Sequence, residues 1–175
     1  MARPIISWLD KDLNTLSKLQ FTSEEGSFSS IVADTESVVS TVYIANNFTK
    51  NTAAAEAVSD ATDCQLKVTA TDGTIEAPVV KEKWIHAKCT TNGDIEYTRL
   101  GYDVETTTEI KLNISAGDET RPNTISGGAN DGTITGTGIY NAAKVELMAK
   151  PDLNTEATGG LQSFRLVLIY SYGAA

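Results

Sequence analysis

Several things are scarce in this chain, and each scarcity removes a class of protein. Cysteine occurs twice in 175 residues, too few for a disulfide scaffold. Histidine occurs once, at His86, and His86-x-x-Cys89 is too sparse a pair for a zinc site. No apolar run approaches the roughly 20 residues that a membrane-spanning helix requires, so no membrane partner is expected. Basic residues are outnumbered, 14 Lys and Arg against 23 Asp and Glu, which leaves a net charge of −9. Such a surface repels phosphates, and no basic stripe with interleaved aromatics offsets it, so no nucleic-acid partner is expected. Neither a Gly-x-x-x-x-Gly-Lys phosphate loop nor a Gly-x-Gly-x-x-Gly turn after a strand is present. No cofactor is therefore expected. No unit of solenoid or propeller length repeats. Met1-Ala2-Arg3-Pro4 leads into a handful of apolar residues before Asp10-Lys11-Asp12, which is not a secretory signal. Synthesis in a cytosol as a soluble protein is the expectation.

What the chain does hold is short apolar runs set among Thr, Ser, Asn, Asp and Gly. Hydrophobic residues make up 41%, enough for one globular domain with a core of its own. Period-two alternation marks half-buried strands. Residues 64–70 put Cys64, Leu66, Val68 and Ala70 on one face, against Gln65, Lys67 and Thr69. Residues 84–89 put Ile85, Ala87 and Cys89 opposite Trp84, His86 and Lys88. Both thiols fall on apolar faces and are read as buried free cysteines. Further strands are predicted at 38–45, 108–114, 143–149 and 164–172, with shorter ones at 4–8, 17–21, 27–33, 77–81 and 94–99. The stretch 164–172 is apolar on both faces, which predicts a central strand. Asp72-Gly73 and Asn92-Gly93 suit tight hairpins.

Two segments break the pattern. The Ala-rich stretch 52–62 predicts a short helix capped by Thr52. Residues 115–141 read as one long Gly/Asn/Thr-rich loop with little to bury. The fold class expected is all-β, an antiparallel β-sandwich with one short helix and this loop. Residues 1–12 form a docking arm or first strand. Residues 13–175 form one sandwich domain with loop insertion 115–141.

No catalytic constellation assembles from the residues. His86 shares a face with Lys88 that looks solvated, and no acid and nucleophile are placed beside it. Glu24-Glu25 and Asp118-Glu119 lie in turns and read as solvated. Asn130-Asp131-Gly132-Thr133 lacks the ordered spacing of a calcium loop and reads as a turn. No catalytic, cofactor or metal residues are assigned. The candidates are contact residues. Ile5, Ile6, Trp8 and Leu9 make the N-terminal arm a docking strand suited to sheet-edge addition. A separable arm implies that deleting residues 1–9 leaves the sandwich folded and abolishes docking. Trp84 and Tyr140 are candidate ligand or interface aromatics, of the kind that line a sugar platform.

An order of short motifs carries a resemblance. Ile5-Ile6-Ser7-Trp8 opens the chain, and Val42-Tyr43-Ile44 runs into Asn46-Asn47. Lys83-Trp84-Ile85 and the loop Ala129 to Thr133 follow, and an aromatic strand from Phe164 to Tyr172 closes it. This order is similar to that of small virion structural proteins of tailed phages of Gram-positive bacteria, although Ala45 stands where such proteins often have Trp. Leu19-Gln20-Phe21 with the later Asn also resembles the opening strands of immunoglobulin-like sandwich modules. The resemblance implies a non-enzymatic virion component, a capsid decoration protein, whose partners are capsid or tail subunits and further copies of itself. A tail or baseplate component and a module for host-wall sugars are the alternatives.

Overall fold

Alternating side chains become two antiparallel sheets in the computed structural model, which describes residues 2–23, 31, 35–134, 139–151 and 162–173. The strands are β1 (Ile6–Leu9), β2 (Ser40–Asn46), β3 (Thr62–Thr69), β4 (Ile85–Cys89), β5 (Thr98–Asp103), β6 (Thr108–Ile110), β7 (Leu112–Asn113), β8 (Ala142–Ala149) and β9 (Arg165–Ser171). One helical turn, α1 (Pro78–Lys81), precedes β4. The larger sheet runs β1-β2-β8-β4-β5-β6 and the smaller one β7-β3-β9. The fold is all-β and sandwich-like.

The strong alternations sit where the sequence puts them. Val42 and Ile44 of β2, Val145 and Leu147 of β8 and Ile85 and Ala87 of β4 face Cys64, Leu66 and Val68 of β3 in one buried cluster. Each large side chain taken from water there contributes about 1.5–3 kcal/mol. The opposite row of β4 and β8 faces outward, where Lys88 lies directly across from Glu146 and pairs with it at 3.1 Å. β2 is covered on its second face too, where Ala45 packs with Leu9 and Phe48 in a smaller cluster.

Other expectations are corrected. Residues 52–62 do not form the predicted helix. Ala54 bridges Asn130, Val58 N–H donates to the Gly127 carbonyl, and Ala61 bridges Ile125. Pairing with the loop overrides the helix preference of alanine, which amounts to tenths of a kcal/mol per residue. The helix lies instead at 78–81, where a strand was expected. Pro78 takes its first position, where a missing N–H costs nothing. Val79 and Val80 are both buried, a pattern that alternation cannot distinguish from a strand. This turn sits close against β5: a Cβ added at Gly101 would lie 2.2 Å from the Val80 carbonyl oxygen.

Residues 17–21 are not a strand, and the strand expected at 94–99 begins later, at Thr98. The expected strand at 27–33 lies, apart from residue 31, outside the described residues. The stretch 108–114 is two strands. β6 pairs with β5 in the larger sheet, β7 pairs with β3 in the smaller, and Lys111 is the step between them. Asp72-Gly73 makes its turn but leads to α1, and Asn92-Gly93 ends a 3-10 turn in a longer β4–β5 connection. β9 is an edge among the described residues, bonded to β3 alone, rather than a central strand.

The 115–141 segment is the largest correction. Its described part (115–134 and 139–141) carries Ser115, Ala116, Thr124 and Ile125 into the interior, with Ile125 fully buried. Ile125→Ala is expected to cost about 2–5 kcal/mol in urea unfolding, the value for a core isoleucine. A solvated loop residue would shift stability by less than about 0.5 kcal/mol.

Candidate attachment surface

The N-terminal strand is built into the larger sheet. β1 pairs with β2 from Ile6↔Asn46 to Leu9↔Tyr43. The chain then turns back on itself. Leu16 N–H donates to the Trp8 carbonyl at 2.8 Å and Asp10 N–H to the Asn14 carbonyl at 2.9 Å, covering the outer side of β1 at that end. The Asp10 carboxylate closes this turn by accepting the N–H groups of Asp12 and Asn14, each at 2.9 Å. The bond from Asn14 holds its pKa below the usual carboxylate value.

The four docking candidates therefore differ in what they offer. Ile5 is 57% exposed. Ile6 and Trp8 are half-buried against the main core. Leu9 is buried with Ala45 and Phe48 and has no surface to offer a partner. The segment thus carries the edge strand β1 with a core residue, Leu9, at its end, and deleting it removes part of the fold. A shallow depression lies beside this edge, lined by Leu16, Leu19, Val38 and Val39 with Asp10 and Thr41. Val39 is 45% exposed.

Behind β1 lies a cluster of side-chain amides that strand periodicity did not single out. Asn46 is fully buried at the end of β2. Its Oδ1 accepts Ile5 N–H at 2.9 Å, and its Nδ2 donates to the carbonyls of Ser59 at 3.0 Å and Ile125 at 3.2 Å. Asn141 Nδ2 donates to the carbonyls of Asn46, Ser126 and Gly128. Asn47 and Asn130 extend the set: Asn47 Nδ2 donates to Glu56 and Gly127 carbonyls, and Asn130 Nδ2 to that of Asn47. The available signal was an Asn-Asn pair closing an apolar strand, with further asparagines at loop ends.

Neither aromatic candidate is an open platform. Trp84 is 6% exposed in the main core, with Nε1–H donating to Glu82 at 3.1 Å. Strand parity placed it on the outer face, but β4 begins only at Ile85, and Lys83 at φ 55° turns the chain just before it. Tyr140 is half-buried and its carbonyl accepts Ser126 N–H. His86 lies on the row of β4 away from the main core, opposite Arg99 and Met148, but it is not solvated as expected: it is half-buried and its Nε2 is enclosed.

The acidic groups serve turns. Asp131 accepts the N–H and hydroxyl of Thr133, which lowers its pKa. Glu24-Glu25 lies outside the described residues. Asp118 is buried rather than solvated. It accepts the Thr120 hydroxyl at 2.6 Å and Arg121 Nε at 2.7 Å, and these bonds hold its pKa below the usual value. Arg121 also reaches Asp60 at 2.8 Å, fastening the loop to the segment before β3. Both cysteines are free and buried, and burial pushes the Cys64 thiol up to about 12. Among the described residues, no group of three or more His, Cys, Asp or Glu is placed to hold a metal ion.

No family model, no curated protein and no solved structure matches this chain.

Two outcomes follow from these geometries. In the native protein Cys64 is expected to resist a thiol-reactive dye at pH 8 and to react on unfolding, because the thiolate is the nucleophile. Reaction of the native Cys64 at the rate of a free thiol would contradict its burial. Asp118 has a lowered folded pKa, so its contribution to stability is present above the unfolded value of about 3.9 and is lost as pH falls through the folded value. Urea midpoints of wild type and Asp118→Asn should differ above about pH 5 and converge as acid protonates Asp118.

Proposed function

We propose that this protein is a non-enzymatic structural component of a phage-type virion, a decoration protein held on the outer surface of a capsid. The observation that carries this reading is the shallow depression beside the β1 edge, where Leu16, Leu19, Val38 and Val39 are set among polar residues, next to a strand whose far end the chain's own return covers. Apolar side chains set among Asp10, Lys11 and Thr41 suit a small protein–protein contact with a polar rim. The net charge of −9 suits a basic patch on a shell subunit. The order of short motifs along the chain points the same way. A tail or baseplate position remains the alternative within this class, and imaging of particles separates the two. A sugar-binding module has less support, because Trp84 is buried and offers no stacking face.

The contact differs from a free docking arm. It is a fixed surface, so point changes probe it better than truncation. Val39→Asp is expected to leave the unfolding free energy within about 0.5 kcal/mol of wild type, as exposed substitutions generally do. It should lower the number of copies per particle at least tenfold, read by quantitative mass spectrometry of purified virions. A wild-type chain missing from the virions of its source would sink the proposal. Unchanged occupancy in the variant would move the contact elsewhere.

A further inference from the structure

Among the described residues four strands end the two sheets, and three of them are blunted. β1 is four residues long and partly covered by the chain's own return, β6 has three residues and β7 has two. β9 has seven, Arg165 to Ser171, with five consecutive apolar residues from Leu166 to Tyr170. Long, uncharged edges invite pairing with another strand, and natural proteins shorten, charge or cover the edges they do not use.

The register shows which groups face outward. Ile114 N–H donates to the Cys64 carbonyl, and Leu66 lies opposite Leu112, so these β3 residues turn their backbone groups to β7. The alternate β3 residues Gln65, Lys67 and Thr69 therefore face β9, opposite Ile169, Val167 and Arg165. Leu166, Leu168 and Tyr170 point their N–H and C=O groups away from β3, to a side that no other described strand occupies. Their side chains pack on the core, while Val167 and Ile169 lie on the outer face. All five side chains stay half-exposed.

We propose that β9 pairs with β9 of a second copy of this chain, antiparallel, across a twofold axis beside Leu168. That axis sets Leu168 opposite itself and Leu166 opposite Tyr170, so every outward-facing residue finds a partner. Three such pairs exchange roughly six backbone hydrogen bonds. Val167 meets Ile169 of the other copy on the outer face, an apolar cross-strand pair. Arg165, the sole charge in the strand, falls opposite Ser171, so no like charges meet although the whole chain is acidic. A second copy is favoured over an unrelated peptide because the pattern is its own complement about one residue, as a twofold interface requires. The smaller sheets of the two copies join into one continuous sheet. This contact lies on the opposite sheet from the proposed attachment surface and does not depend on any particle.

Sedimentation velocity of the full chain from about 1 to 100 μM tests it. The expected species is a dimer of twice 18.7 kDa. Val167→Lys with Ile169→Lys sets two like-charged pairs across the axis and should weaken dimerisation at least tenfold. Val167→Lys with Ile169→Glu sets each introduced cation opposite an introduced anion, and should restore it. A monomeric wild type overturns the proposal, and so does a dimer indifferent to the paired lysines. Failure of the Lys/Glu chain to recover overturns the antiparallel register. Amide exchange in wild type serves if a variant does not fold: Leu166, Leu168 and Tyr170 N–H should slow as concentration rises, and concentration-independent exchange overturns the contact.

Discussion

One buried amide holds together parts of the chain that strand periodicity alone would leave separate. Asn46 ends β2 with no exposure to solvent, and its side chain satisfies the N–H of Ile5 and the carbonyls of Ser59 and Ile125. The Ile125 carbonyl also accepts Ala61 N–H, but a backbone group such as the Ile5 N–H or the Ser59 carbonyl costs about 1–3 kcal/mol when buried without a partner. The asparagine therefore sets where the first strand enters the sheet, where the segment before β3 runs and how deep the long loop sits. A hydrophobic residue of similar size could fill the volume but could not accept from one segment while donating to two others. Asn141 repeats the device from the far end of the loop, so the Gly-rich stretch between them is held at both ends.

This explains what could be read from the sequence. β3, β4 and β8 were legible because their partners cover one face only, so side-chain polarity follows the pleat: Cys64, Leu66 and Val68 in, Gln65 and Lys67 out. Both cysteines were placed correctly by the same rule. Legibility failed where long-range pairing decides the conformation. Ala54, Val58 and Ala61 are extended because the loop opposite supplies carbonyls and N–H groups, and no local signal encodes that. Val79 and Val80 are both buried within one helical turn, because β5 passes close at a glycine. β9 was misread for a subtler reason. Two apolar faces tell what packs above and below a strand, and say nothing of whether both of its edges are paired.

The candidate site was partly legible. Ile5 and the strand after it were singled out as a contact element, and they do lie at a sheet edge. Leu9 belongs to the core and Trp84 is enclosed, since the turn at Lys83 resets the parity on which its exposure was judged. The depression lined by Leu16, Leu19, Val38 and Val39 joins residues some twenty positions apart, so only the fold brings it into view. The same holds for the acids. Asp10, Asp118 and Asp131 look like free carboxylates in the sequence, yet each accepts the N–H of a residue two or more positions on and fixes a turn.

The two proposed contacts have different physical characters, and that difference bears on how they would work together. The depression beside β1 is small, and contacts of that size are weak when made singly. β9 pairing is directional and closes after two copies. A dimer built that way carries two depressions related by its twofold axis. Binding through one places the other at high local concentration over the same surface, provided the spacing of sites matches. A repeating shell or tail supplies regular spacing, whereas an isolated partner does not. Weak contacts doubled by symmetry would thus select an ordered array over the same subunit free in solution, with the charge of −9 opposing looser association elsewhere.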